Sequence, residues 1–146
     1  TDNPKLTVRE WKGKEPLRIV LDKDLKIPET HHLFDRSTNT FVFTSKNKAS
    51  TKNLEYISID FAKNVIQKIL AVLYEKNIQS LIVEGGTRLI NSFVSAGCWD
   101  EARLFTSSKK ISQGVKAPQL TDSAQMISEE DIAGDILAIS RNYNSH

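Results

Sequence analysis

The first part of the chain contains three short apolar runs separated by polar loops, and this pattern predicts three β-strands. The runs span residues 17–22 (LRIVLD), 40–45 (TFVFTS) and 54–60 (LEYISID), and they are rich in β-branched and aromatic residues. The apolar spacing then becomes helical over residues 61–77, with Asp60 as the expected N-cap. We expect this helix to end near Lys76 and Asn77, because a cation and a residue that tolerates positive φ both suit a helix C-terminus.

The second half of the chain repeats the alternation of strand and helix. Residues 80–84 (SLIVE) form a continuous apolar run, which is typical of a strand covered on both faces. A helix is predicted from about Thr87 to Ala96, ending at Gly97, and two further strands are predicted at 101–107 and 135–143. The whole pattern predicts an α/β layered domain with a mixed, mainly parallel sheet, whose late strands form an antiparallel edge.

Composition places few restrictions on function beyond this fold class. The 146 residues suit one domain, and 39% hydrophobic with 26% charged residues is ordinary for a globular protein. A formal charge of +2 argues against nucleic acid or a membrane surface as a partner. With one cysteine and no apolar run long enough to span a bilayer, we expect a cytoplasmic protein. Cys98 is interpreted as a buried or turn thiol, with a nucleophile as the alternative.

The segment that joins residues 80–84 to the next helix has candidate chemistry. Ligands of α/β sheets collect at the carboxyl ends of strands, and Glu84 is at such an end. Gly85 and Gly86 allow a sharp turn and close backbone approach, and the amides of a first helical turn, here from Gly86 to Leu89, favour phosphate. The alternative is a simple tight turn in which Gly85 takes a positive φ and Glu84 is solvated or ion-paired. This stretch alone favours neither.

Three segments together resemble the C-terminal reductase domain of the bifunctional riboflavin-biosynthesis deaminase/reductase. They are DNPKLTVR at 2–9, PLRIVLD at 16–22 and SLIVEGGTRLINSFVSAGCWDE at 80–101, in the family's order. The resemblance covers nearly the whole chain and implies one dihydrofolate-reductase-like domain over residues 1–146. It also implies NADPH-dependent reduction of 5-amino-6-(5-phosphoribosylamino)uracil, in which the ribosyl unit becomes a ribityl chain.

The same resemblance implies roles for individual residues. Leu6, Arg9 and Glu84 match substrate contacts of the family, and Arg9 suits a phosphate or ribose because its guanidinium offers parallel donors. Residues that match cofactor contacts are Asp2, Lys23, Gly86, Thr87, Arg88, Leu89, Ile90, Asn91 and Ser92. Lys23 replaces a small hydroxyl residue, and it either serves the 2′-phosphate of NADPH or points to solvent. Arg88 either neutralises phosphate charge or points outward.

The chain also departs from the family pattern. Asn3 stands where the family usually has a second acid, and the family's domain begins about fifty residues earlier with a strand and a helix that complete its pockets. We therefore expect an incomplete domain with low or no turnover alone. We expect no metal site, because His31 and His32 lack spaced partner ligands and the zinc deaminase domain expected in the parent chain is absent. A homodimer is expected. The alternatives are a related reductase for another pterin or pyrimidine, and a non-catalytic assembly module.

Overall fold

The computed structural model describes residues 3–8, 10, 12–109 and 112–143. The chain divides into two compact units, one up to Val72 and one from Leu73 onward, and each has a three-stranded sheet of its own.

The first unit is built on a parallel sheet, as the three early apolar runs predict. Its strands are β1 (Arg18–Leu21), β2 (Thr40–Thr44) and β3 (Leu54–Ser58), in the order β1-β2-β3. The register pairs Arg18 with Thr40 and Thr40 with Leu54. The buried core cluster combines strand residues with a 3₁₀ turn at His32–Phe34, and its members are Val20, Leu33, Phe34, Val42 and Leu54.

A buried cation attaches the 3₁₀ turn to the sheet. Arg18 is 2% exposed, and its Nη1 donates to the carbonyl of His32 at 2.9 Å and to Asp35 Oδ1 at 2.8 Å. Its Nη2 donates to Ser37 Oγ at 3.0 Å. These bonds occupy both terminal nitrogens of the guanidinium, and a buried guanidinium is tolerated when its donors are hydrogen-bonded in this way.

The helix α1 (Val65–Glu75) starts later than predicted, so the assignment of Asp60 as its N-cap is wrong. Asn64 has a φ of 53°, which an α-helix cannot contain, and the Asp60 carboxylate accepts from the amide of Ala62 in the preceding turn. The predicted C-terminus is confirmed. Asn77 takes a φ of 58°, and the amide of Ile78 reaches back to the carbonyl of Leu73 at 2.9 Å, as in a Schellman motif.

The second unit contains α2 (Thr87–Ser95) and three antiparallel strands, in agreement with the predicted helix and the predicted late strands. The strands are β4 (Glu101–Ser107), β5 (Ala124–Ile132) and β6 (Asp135–Asn142), in the order β4-β6-β5. Strand β5 was not predicted. The strand predicted at 80–84 is wrong: these residues lie outside every strand, and Ile82 is 84% exposed.

The β5–β6 hairpin contains two local irregularities. Its loop is the pair Ala133 and Gly134, both with positive φ, which is the backbone of a type I′ turn. Further along, Met126 pairs with Ser140 and Ser128 with Ile139, so β5 has one more residue than β6 between these pairs. This is a β-bulge at Ile127.

The observed elements confirm the α/β class, with the parallel and antiparallel strands in separate sheets. Within the ranges that the structure describes, none of the helices has the length and apolar character required to cross a bilayer.

Candidate functional site

The carboxyl ends of the three parallel strands meet at one edge of the first sheet and surround an open depression of about 470 Å³. Each strand contributes a polar residue just at or after its end: Lys23 after β1, Ser45 after β2 and Ser58 at the end of β3. The remaining lining consists of Ile59, Asp60, Phe61 and Ala62. This edge is where ligands of parallel α/β sheets bind.

The backbone after β1 is held in place by a buried carboxylate. Asp22 accepts from the amides of Lys26 and Ile27, both at 2.8 Å. The carbonyl of Lys23 accepts from Ser45 N at 2.9 Å and from Ser45 Oγ at 2.8 Å. The loop that carries the Lys23 side chain is therefore fixed at both its start and its end.

The rim of the depression contains charges of both signs. Asp60 Oδ2 lies 2.7 Å from Lys68 Nζ, and this hydrogen bond lowers the pKa of Asp60, with the Ala62 amide and the charge of Lys23 acting in the same direction. Asp24, the residue after Lys23, forms a second ion pair, in which Lys46 Nζ lies 3.8 Å from Asp24 Oδ1. Such exposed pairs are weak and leave lysines available to a stronger anion.

In the second unit, the turn before α2 requires one of its two glycines. Gly86 has φ 43° and ψ 140°, a conformation that a side chain would strain, whereas Gly85 is not among the positive-φ residues. The positive φ expected at Gly85 in the simple-turn alternative is thus found at Gly86. Glu84, Gly85 and Gly86 are all exposed.

The first turn of α2 offers fewer donors than the sequence suggested. The amides of Leu89 and Ile90 both donate to the Gly86 carbonyl, at 3.0 and 3.2 Å, so they are used inside the helix. The amides of Thr87 and Arg88 belong to the part of a first turn that an α-helix leaves without an internal acceptor. Anion binding by this turn would therefore rest on Gly86, Thr87 and Arg88.

Some of the other predicted cofactor residues of α2 line a depression, and others are exposed or form bonds within the helix. Thr87 and Asn91 line a second open depression of about 310 Å³, together with Lys116, Gln119 and other residues of that loop. Thr87 Oγ1 donates to the Lys116 carbonyl at 3.2 Å. Arg88 is exposed, and Ser92 Oγ donates to its carbonyl at 2.9 Å, so the serine hydroxyl is used within the helix.

Three predicted contacts lie in the N-terminal segment. Asp2 and Arg9 fall outside the described residues. Leu6 is partly buried, has a φ of 48° and packs against the core cluster of the first unit. Asn3, the departure noted above, anchors this segment, because its Oδ1 accepts from the amide of His32 at 2.9 Å.

Metal binding and thiol chemistry are the two remaining candidate chemistries. Among the described residues, no three His, Cys, Asp or Glu side chains are grouped so as to hold a metal ion. Cys98 is half-buried in the turn after α2, with its Sγ 3.4 Å from the Ala96 carbonyl oxygen, which agrees with the interpretation as a turn thiol.

In a comparison with protein families, the model of the RibD C-terminal domain matches residues 1–133. The chain belongs to that family. The similarity includes the riboflavin biosynthesis protein RibD of Bacillus amyloliquefaciens, which is 33% identical in an alignment that covers 90% of this chain and 38% of that protein. It also includes the 2,5-diamino-6-ribosylamino-4(3H)-pyrimidinone 5′-phosphate reductase of Aquifex aeolicus, which is 33% identical in an alignment that covers 71% of this chain and 50% of that protein.

A solved structure extends the likeness of this RibD C-terminal domain to the fold. It is the diaminohydroxyphosphoribosylaminopyrimidine deaminase/5-amino-6-(5-phosphoribosylamino)uracil reductase of Thermotoga maritima, with a TM-score of 0.80 at 25% identity over 97% of this chain and 42% of that one. The dihydrofolate-reductase-like fold implied by the sequence motifs is thereby confirmed. The chain spans less than half the length of the Bacillus amyloliquefaciens protein and of the Thermotoga maritima protein.

Several residues of the two depressions were not identified from the sequence. Ser45 and Ser58 lie at strand ends that were predicted, so the carboxyl-end rule applied to all three strands would have found them. Lys116 lies in a loop without a motif, and its place beside Thr87 follows from tertiary structure alone.

Proposed function

We propose that the protein carries out the reductase step of riboflavin biosynthesis, in which 5-amino-6-(5-phosphoribosylamino)uracil receives a hydride and a proton and its ribosyl unit becomes a ribityl chain. The observation that carries this proposal is the match of the RibD C-terminal domain model over residues 1–133. The names of the relatives, which are pyrimidine phosphate reductases or RibD proteins, support it.

NADPH is the proposed cofactor, and the described residues fit it. Gly86 keeps a ligand-facing backbone free of a side chain, and the amides of Thr87 and Arg88 suit the diphosphate. Lys23, at the carboxyl end of the parallel sheet, supplies a cation suited to the 2′-phosphate. When bound, the cofactor supplies the hydride, and the protein supplies orientation and electrostatics.

The substrate contacts are proposed to be Leu6, Arg9 and Glu84. Glu84 is exposed beside the glycine turn, where its carboxylate can accept from ring N–H or hydroxyl groups. Leu6 contributes by holding its segment against the core of the first unit.

The proposal is tested by two measurements. In the first, ¹H–¹⁵N spectra of the chain are recorded during titration with NADPH, and shifts are expected at residues 85–92. In the second, the whole parent protein is assayed for NADPH oxidation with the phosphorylated pyrimidine. If the spectra stay unchanged and the parent protein shows no oxidation, the proposal is wrong. For the chain alone we expect low or no turnover.

The names of the relatives favour one specific alternative substrate. The proteins of Aquifex aeolicus and Archaeoglobus fulgidus are named as reductases of a 2,5-diamino-pyrimidinone phosphate rather than of the uracil compound. A parallel assay with both pyrimidines, with and without the 5′-phosphate, separates the two activities. We also infer a cytoplasmic homodimer whose parent chain includes a zinc deaminase domain; the deaminase/reductase of Thermotoga maritima supports the latter.

A further inference from the structure

A single buried hydroxyl joins the two loops that follow β1 and β2. Thr44 is the last residue of β2 and is 0% exposed. Its Oγ1 donates to the carbonyl of Lys23 at 2.9 Å and accepts from the amide of Lys46 at 3.2 Å. The hydroxyl thus links the backbone of Lys23 to the backbone of Lys46.

This bridge adjoins the depression at the carboxyl end of the sheet, because Thr44 bonds one lining residue and directly precedes another. Lys23 and Ser45 line that depression. Ser45 adds two more bonds to the same Lys23 carbonyl, from its amide and from its hydroxyl. Thr44 is the member of this group whose side chain bonds the backbone of both lysines, so its hydroxyl links Lys23 to Lys46 directly.

We propose that Thr44 is a positioning residue for cofactor selectivity: its hydroxyl fixes the Lys23 and Lys46 loops so that their ammonium groups favour a dinucleotide with an additional phosphate. This inference rests on the proposed function. Two cations attract a dianionic phosphate more strongly than the ribose hydroxyl that replaces it in NADH. If the loop is loosened, part of the binding free energy from that attraction is lost to the entropy cost of ordering the loop backbone. This loss weakens the binding of NADPH and leaves the binding of NADH nearly unchanged.

The test uses substitutions that keep side-chain shape. Thr44→Val removes the hydroxyl, Thr44→Ser restores it, and Thr40→Val is the matched control. Thr40 lies at the other end of β2, is 1% exposed and donates a long bond of 3.4 Å to the Thr38 carbonyl. Dissociation constants for NADPH and NADH are measured by calorimetry on each variant of the chain, with folding checked by circular dichroism.

For Thr44→Val we expect about a five- to tenfold loss of NADPH affinity, the equivalent of one hydrogen bond, and less than about a twofold change for NADH. Thr44→Ser and Thr40→Val should keep the wild-type ratio of the two constants. In a Lys23→Met background the effect of Thr44→Val on NADPH affinity should be smaller, because one of the two ammonium groups that Thr44 positions is then absent.

An unchanged NADPH-to-NADH ratio in folded Thr44→Val overturns this inference while leaving the proposed function intact. If the wild-type chain binds neither nucleotide, this inference is overturned, and the proposed function is overturned as well only if the parent protein also shows no NADPH oxidation. If Thr44→Val does not fold, Ser45→Ala replaces it, because Ser45 is exposed and its hydroxyl bonds the same carbonyl. A rise of about two- to threefold in the NADPH dissociation constant relative to that of NADH then supports the inference, and an unchanged ratio overturns it.

Discussion

Removing either member of the Arg18–Asp35 ion pair should destabilise the protein, but by different amounts. Arg18 has no exposed side-chain surface, whereas the Asp35 side chain is 36% exposed. Asp35→Ala leaves a guanidinium in the interior without its counter-ion. Arg18→Met leaves a carboxylate that water can reach and that still accepts from Ser37 N and Oγ. The aspartate substitution should therefore be the more damaging of the two.

The expected magnitudes follow from this difference in exposure. Breaking a buried pair by removing one partner costs about 3–5 kcal/mol, and the partial exposure of Asp35 places Asp35→Ala near the lower end, at about 3 kcal/mol. Arg18→Met removes donors from the His32 carbonyl and Ser37 Oγ but strands no charge, so it should cost about 1–2 kcal/mol. Glu29→Ala, which breaks the exposed 2.6 Å pair with Lys48, is the control, and its expected cost is the smallest of the three because solvent screens that pair.

Because the chain has two compact units, the measurement must report on the first unit specifically. Hydrogen exchange of the amides of β1 and β2 does so, since these amides form the ladder directly attached to Arg18. Equal costs for Arg18→Met and Asp35→Ala, or a greater cost for Arg18→Met, would refute the reasoning from exposure.

Three further predictions concern pH, the glycine turn and the substrate. The Arg18 hydrogen bond holds the pKa of Asp35 well below its ordinary value of 3.8, so the stabilisation is present above that pH and is lost as pH falls through the folded-state value. Acid titration should therefore reduce the difference in unfolding free energy between wild type and Asp35→Ala below pH 3.8. A constant difference would contradict this. Gly86→Ala should destabilise the chain by about 1–3 kcal/mol and weaken NADPH binding. Gly85→Ala, whose added Cβ meets Leu89 Cδ2 at 3.9 Å, should change stability by less than about 0.5 kcal/mol. Chemical denaturation and calorimetry compare the two variants, and equal effects would show that the positive φ of Gly86 is unimportant. In the parent protein, Glu84→Ala should reduce turnover of the pyrimidine more than NADPH affinity, and an equal loss of both in kinetic and binding assays would argue against a substrate contact.

Local patterns were sufficient where an element depends on its own residues. The three parallel strands, the helix ends at Asn77 and Gly97 and the glycine turn before α2 all follow from spacing and from residues that tolerate positive φ. These features need no information about distant parts of the chain.

Elements that depend on a partner were less predictable. The run at 80–84 is apolar enough for a buried strand, yet a strand exists through its ladder, and periodicity does not identify a neighbouring strand. Conversely, β5 is acidic and mostly exposed, and it is a strand because β6 pairs with it. The candidate site shows the same limit: the glycine turn was readable as a motif, whereas the Thr44 bridge and the place of Lys116 required tertiary contacts.

The bulge in β5 has a consequence for comparing this chain with its relatives. Ile127 is the residue without a counterpart, and every pair on either side of it keeps its own constant register. A homologue lacking this one residue would preserve all of the cross-strand neighbours and their inward or outward directions. A single-position gap at Ile127 in a sequence alignment therefore alters the local bend and twist of β5 without changing its cross-strand pairs, whereas a gap elsewhere in β5 shifts the pairing of the residues between the gap and the bulge.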